Sequence, residues 1–276
     1  AAIKALRDGR THYTHSMGLL ELREAIAKHY HDKYGATVSP DQIIISNGTS
    51  PVMSMIFSTL LSPGDEVILT DPHYACYPNF IQFADGVPRL VKVSDAQGFQ
   101  YEYDSLRAAI GPRTRAILVN SPSNPGGTVI PGDTLERLCS TGVSIVSDEI
   151  YHGLVYEGRE HSAIEFTDNA FIINGFSKLY AMTGWRVGYM IAPQKYIRTM
   201  QKLHQNFSIS ANAFVQWAAI SALNESKQYI DKMVATYDER RRYLVGALKG
   251  MGLNIPVEPT GAFYVFVNFS HVDTDS

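Results

Sequence analysis

A repeated order constrains this chain more than any single motif: a short aliphatic run, a polar or glycine-bearing turn, then a helical pattern. Ile43-Ile44-Ile45 runs into Ser46-Asn47-Gly48-Thr49-Ser50 and an apolar helix through Leu61. Glu66 to Thr70 precedes a helix near Tyr74 to Phe83, and Arg115 to Asn120 precedes one around Thr134 to Cys139. Val143 to Val146 and Phe171 to Ile173 are two more apolar runs. Runs without polar alternation suit strands buried on both faces, so the pattern predicts an α/β fold, a mostly parallel sheet with helices on both faces. Ahead of it, Leu19, Leu22, Ile26 and Tyr30 recur at helical spacing up to Gly35, a residue suited to a helix exit. Past residue 192 the chain reads as helical, with a long charged helix over Lys227 to Gly250 whose Glu239-Arg240-Arg241-Arg242 cluster reads as a solvated face. Gly261 to Val267 reads as a further strand.

In open α/β sheets ligands collect at the carboxyl ends of the strands, where loops and helix N-termini present free N–H groups. The strand ends here carry Asn47-Gly48-Thr49, Asp71-Pro72-His73-Tyr74, Asn124-Pro125-Gly126-Gly127, Asp148-Glu149-Ile150-Tyr151 and Ser177-Lys178. Lys178 is the most informative of these. It follows an apolar strand, lies among Phe176, Tyr180, Met182 and Trp185, and is eight residues from Arg186 in a segment with no other charge. A lysine withdrawn from water near a second cation gives up its proton more readily, which makes its amine a nucleophile toward a carbonyl, as a Schiff-base lysine requires. Competing strand-end chemistries lack their motifs: no G-x-G-x-x-G, G-x-x-x-x-G-K-[ST] or G-x-S-x-G occurs. Asp148 and His152 alone, without a third ligand, make a weak metal site, and no metal is expected.

The segment Gly175-Phe176-Ser177-Lys178-Leu179-Tyr180-Ala181-Met182-Thr183-Gly184-Trp185-Arg186-Val187-Gly188 resembles the lysine motif of the pyridoxal-phosphate enzymes of aminotransferase class I and II. Gly48-Thr49, Asn124-Pro125-Gly126-Gly127, Asp148 and Tyr151 stand upstream in the order of that family, and the resemblance runs from Tyr13 to about Phe266. It implies a fold-type I large domain over residues 14–250, with 1–13 and 251–276 belonging to an N-terminal segment and a partial small domain. It implies pyridoxal 5'-phosphate as cofactor, an amino acid and a 2-oxo acid as substrates, and Lys178 as the Schiff-base residue. Asp148 is then the carboxylate that keeps the pyridine nitrogen protonated, and Tyr151 and Asn124 donate to the ring oxygen. Arg186, Ser177 and the backbone of Gly48, Thr49 and Ser50 take the phosphate, and Tyr74 stacks on the ring. Gly175 stands where many relatives carry a second serine, so one phosphate hydroxyl is expected to be lost. Tyr13, in His12-Tyr13-Thr14-His15, matches the tyrosine that reaches the neighbouring subunit's phosphate, which implies a homodimer with shared sites.

An aminotransferase is the leading expectation. A carbon–sulfur β-lyase on the same scaffold and a non-catalytic cofactor-binding fragment are the alternatives. Twenty-four Lys and Arg against 27 Asp and Glu leave no basic excess for nucleic acid. No apolar run approaches the ~20 residues that span a bilayer. Two cysteines without a C-x-x-C fit a reducing compartment, so the expected location is cytoplasmic.

Overall fold

The computed structural model describes residues 1–270. Helix α1 (Ala2–Arg7) and helix α2 (Leu20–Tyr34) lead into the sheet. Leu22, Ile26, Tyr30 and Tyr34 form the buried stripe of α2, and Gly35 ends it in the left-handed conformation at φ 68°. Then follow β1 (Ile43–Ser46), α3 (Thr49–Leu60), β2 (Glu66–Asp71), α4 (Tyr77–Phe83), β3 (Val87–Lys92), α5 (Tyr103–Ala108) and β4 (Thr114–Asn120). The chain continues through α6 (Gly132–Cys139), β5 (Ser144–Asp148), β6 (Ala170–Gly175), β7 (Gly188–Ile191), α7 (Gln194–Ser208), α8 (Ala213–Glu225) and α9 (Lys227–Gly250).

The seven strands form one sheet in the order β1-β7-β6-β5-β4-β2-β3. The pairs from β6 through β3 are parallel, and β7 runs antiparallel to both β6 and β1. Residue parity divides the core. Ile43, Ile45, Ile117, Val119, Ile145 and Ile172 pack on one face with α2 and α6, while Ile44, Ala116, Leu118, Val146, Phe171 and Ile173 pack on the other with α3. Strands covered on both sides have no polar face, which is why they read as continuous apolar runs.

Three features depart from the sequence reading. Strands β3 and β7 were not expected. Val87–Lys92 is an edge strand whose Pro88, Arg89 and Lys92 suit solvent rather than a buried ladder, so it lacks the apolar signature. Gly261 to Val267 is not a strand. Ala262 takes a φ of 54°, the Gly261 N–H is tied to Gly127 O and that of Ala262 to Leu154 O, and among the described residues this stretch makes one isolated bridge, Val155 with Gly261. Within the charged cluster of α9, Arg241 is buried, not solvated. Its guanidinium donates to Pro259 O at 2.7 Å, Glu157 Oε1 at 2.8 Å and Asp238 Oδ1 at 2.8 Å, so it fastens α9 to two loops.

Candidate active site

Registered pairing brings the chemistry to one end of the sheet. Asn120 pairs with Asp148 in the β4–β5 ladder, so both side chains stand at the carboxyl edge. The Asn120 amide donates to Asp148 O at 3.0 Å, and its Oδ1 accepts from the Asn124 N–H at 2.8 Å, which seats the Asn124 turn beside β5. Beyond β6 the chain makes a loop that closes on itself: the Phe176 N–H donates to Val187 O and that of Met182 to Phe176 O. This closure holds Ser177, Lys178 and Arg186 on one rim. Arg186 adopts φ 51°, unusual for a side chain of its size, and its guanidinium donates to Thr183 O at 3.1 Å.

Thr49, Ser50, Tyr74, Asn124, Asp148, Tyr151, Ser177, Lys178 and Arg186 line a single cavity of about 280 Å³. Gly48 stands at its edge because of what lies over it. A Cβ there would meet Arg186 Nη2 at 2.5 Å, and the residue has φ 93°. On its other side a Cβ on Gly188 would lie 2.9 Å from the carbonyl carbon of Gly48, and one on Gly175 2.9 Å from Gly188 Cα. Three glycines therefore let the turn after β1 lie directly on β7 and under the arginine. Gly175 is where the sequence suggested a lost serine, and as the strands stand no side chain fits there. Tyr13 does not join this cavity. It is 81% exposed and lines a separate surface depression with His12, Asn47 and Phe214.

Electrostatics distinguish Asp148 from its neighbours. Burial raises its carboxyl to about 6, against the lowering effects of the Tyr77 hydroxyl, which donates to Oδ2 at 2.7 Å, of the Ile150 N–H and of Lys178. It is an anion at neutral pH, buried and facing the cavity. Burial and the Tyr264 hydroxyl, 2.6 Å away, push the Tyr151 phenol well above its ordinary value, so it stays protonated and able to donate. Lys178 Nζ lies 5.9 Å from the centre of the Tyr151 ring and 5.8 Å from that of Phe263. Tyr74 crosses Tyr77 edge to face at 5.3 Å.

Asn120 and Tyr264 were not singled out from the sequence, in which Tyr77 reads with Tyr74 as a core or rim aromatic. Tyr77 had a local signal, lying one helical turn after Tyr74, and Asn120 closes an apolar run with an amide. For Tyr264 no local signal exists, because its partner is 113 residues away.

The model of the family described as aminotransferase class I and II matches residues 1–276. The chain is a class I and II aminotransferase. Among similar proteins, a (5-formylfuran-3-yl)methyl phosphate transaminase of Methanocaldococcus jannaschii is 45% identical over 270 residues, covering 96% of this chain and 70% of that one. An aspartate/prephenate aminotransferase of Thermus thermophilus is 37% identical, covering 100% of this chain and 73% of its own length. A solved Thermus thermophilus aspartate aminotransferase, a tetra mutant, superposes with a TM-score of 0.96 at 36% identity, covering 99% of this chain and 77% of that one. As a member of this family the aminotransferase is a pyridoxal-phosphate-dependent transferase that acts on amino acids and 2-oxo acids. Its cavity fits such a cofactor in donor set and in space. An amine and a buried carboxylate face the space, and an arginine with the N–H groups at the start of α3 stands over a turn where a Cβ would intrude. Among the described residues no helix is long and apolar enough to cross a membrane.

Proposed function

We propose that the aminotransferase moves an amino group between an amino acid and a 2-oxo acid with Lys178 as the residue that holds the cofactor aldehyde and then shuttles the proton. The observation that carries this is the shared cavity of Lys178, Asp148, Tyr151, Asn124 and Arg186. When bound, pyridoxal phosphate supplies an electron sink for the pair left behind when the substrate Cα loses its proton. The chain's own residues do the rest. The Asp148 carboxylate holds a proton on the ring nitrogen. Tyr151 and Asn124 donate to the ring oxygen, and Tyr74 faces the ring. Arg186, Ser177 and the N–H groups of Thr49 and Ser50 anchor the phosphate. Lys178, tethered within the cavity, would take the proton from the substrate Cα onto its amine and deliver it to the cofactor carbon. Gly48 admits Arg186 to the phosphate end. Tyr13 is the residue a second copy contributes, in a homodimer, and its exposure in the single chain agrees with that role.

The relative named for aspartate and prephenate makes aspartate the first donor to try and prephenate, a 2-oxo acid, a first acceptor. Purified protein loaded with cofactor is mixed with a donor and no acceptor, and the products are read by absorbance and chromatography. The expected result is the amine form of the cofactor with one equivalent of 2-oxo acid. Pyruvate and ammonia from a cysteine conjugate would instead indicate the β-lyase, and no product from any donor would leave a binding fragment. Borohydride reduction followed by peptide mapping is expected to place the adduct on Lys178, and Lys178→Ala is expected to lower turnover by at least about 1,000-fold. An adduct on another lysine overturns the assignment.

A further inference from the structure

Two residues beside the proposed catalytic pair do work that the reading above leaves unassigned. Asp148 and Tyr151 face the cavity, whereas Glu149 and His152 turn into protein and are 1% and 4% exposed. Glu149 Oε1 accepts from the Ser147 hydroxyl at 3.0 Å, the Ser162 hydroxyl at 2.8 Å and the Ala163 N–H at 3.1 Å. Its Oε2 accepts from the Tyr30 hydroxyl at 3.3 Å and lies 3.4 Å from His152 Nδ1. His152 Nδ1 is also 2.6 Å from the Tyr34 hydroxyl. Its Nε2 is buried without a hydrogen-bond partner among the described residues, and the ring interacts with the backbone of Ser121. One residue on, the Gly153 N–H donates to Glu160 Oε2 at 2.8 Å, and Glu160 is paired with Lys33. Tyr30, Lys33 and Tyr34 lie three and four residues apart, so one stripe of α2 holds the whole 149–153 turn.

We propose that Glu149 and His152 are positioning residues: clamped by Tyr30 and Tyr34 of α2, they fix the turn that presents Asp148 and Tyr151 and hold it against the Ser121 loop that leads to Asn124. The inference rests on the reading that Asp148 and Tyr151 contact the cofactor. Burial keeps both members uncharged at neutral pH, raising Glu149 to about 8 and lowering His152 to about 4. Tyr30, Tyr34, Tyr189 and Cys139, which also face Glu149, are raised by burial and are likewise neutral. The Glu160–Lys33 pair beyond them carries one charge of each sign. A neutral clamp orders the turn without placing a second negative charge beside Asp148, where a carboxylate is needed.

The holoenzyme carries His152→Leu, Tyr34→Phe, Glu149→Leu and Glu149→Gln in turn, with kcat and KM for the amino donor, cofactor affinity by fluorescence titration, and unfolding temperature read for each. His152→Leu and Glu149→Leu are expected to lower kcat by about 10- to 100-fold with KM within about threefold, because misplaced groups cost rate before they cost substrate binding. Cofactor affinity falls with kcat. Glu149→Gln restores most of the loss, since a neutral amide can accept from Ser162 and Ala163 and donate toward His152. Tyr34→Phe, which keeps the ring, gives a smaller loss in kcat and serves if His152→Leu does not fold. In an Asp148→Asn background His152→Leu costs several-fold less than in the parent, because one group it acts through is already disabled. Parental kcat and cofactor affinity in Tyr34→Phe and in any folded His152→Leu, whatever their unfolding temperatures, overturn the proposal. So does an undiminished loss in the double variant. Parental turnover in Asp148→Asn alone overturns the underlying reading instead.

Discussion

Asp148 is a residue whose function and stability pull in opposite directions. Its carboxyl is raised by burial to about 6, so between about pH 4 and 6 the folded chain keeps a proton that the unfolded chain has released. Stability contributed by this group is therefore present at low pH and lost as pH rises through 6, leaving a cost of roughly 3 kcal/mol above it. An isosteric amide removes that cost and keeps the short bond from Tyr77 while giving up the longer one from the Ile150 N–H. Asp148→Asn is expected to raise the unfolding temperature of the cofactor-free protein by several degrees at pH 7.5 and to leave it unchanged at pH 4. The same variant is expected to lower turnover at least about 100-fold, because an amide cannot hold a proton on a ring nitrogen as a carboxylate does. Paired calorimetry and kinetics check both halves. An unfolding temperature that drops at pH 7.5 contradicts the account of the buried charge.

Among the elements, the contact between the turn after β1 and strand β7 carries the phosphate end of the cavity. It is made of backbone, so its geometry cannot relax around an added methyl group as a flexible side chain would. Gly188→Ala places a Cβ 2.9 Å and 3.2 Å from two backbone atoms of Gly48. Separation of the turn from β7 is expected to cost about 1–3 kcal/mol of stability and at least about tenfold in pyridoxal-phosphate affinity. Denaturant unfolding and cofactor titration measure the two, and unchanged affinity counts against Gly48 as part of the phosphate site. A second element-level tie is Arg241 on α9, whose guanidinium holds Pro259 O and Glu157. Arg241→Leu is expected to loosen the 250–270 segment, read as faster proteolytic cleavage there with the sheet core still protected from hydrogen exchange.

For the molecule as a whole, two buried carboxyls and three histidines set the dependence of stability on pH near neutrality. Burial raises Asp148 to about 6 and Glu149 to about 8, and it lowers His29 and His152 to about 4 and His204 in the same direction. From about pH 4.5 to 6 the two carboxyls hold protons that the unfolded chain lacks, while the three histidines lack protons that it holds, so the two sets of slopes oppose each other. From about 6.5 to 8 the loss of the Glu149 proton outweighs the remainder of the histidine difference, and stability is expected to fall by up to about 1 kcal/mol. Unfolding of the cofactor-free protein across this window checks the sign, and Glu149→Gln is expected to flatten the decline. A rise in stability from pH 6.5 to 8 sinks the assignment of Glu149 as a buried neutral acid.

Five of the seven strands and the turns that follow them were determined by the sequence alone, and so were the residue types at those strand ends, including Lys178, Asp148 and Arg186. Apolar runs, glycine exits and strand-end polar groups act through neighbours a few residues away, and such signals survive without a fold. Tertiary structure decided the rest. It reversed β7, put β3 at the edge, buried Arg241, gave Asp148 the Tyr77 hydroxyl and joined Tyr151 to Tyr264. It also broke the run from Gly261 that read as a strand, and it separated Tyr13 from the cavity of its own chain. These outcomes depend on which distant segments the sheet order makes adjacent, and no local periodicity encodes a partner more than a hundred residues away.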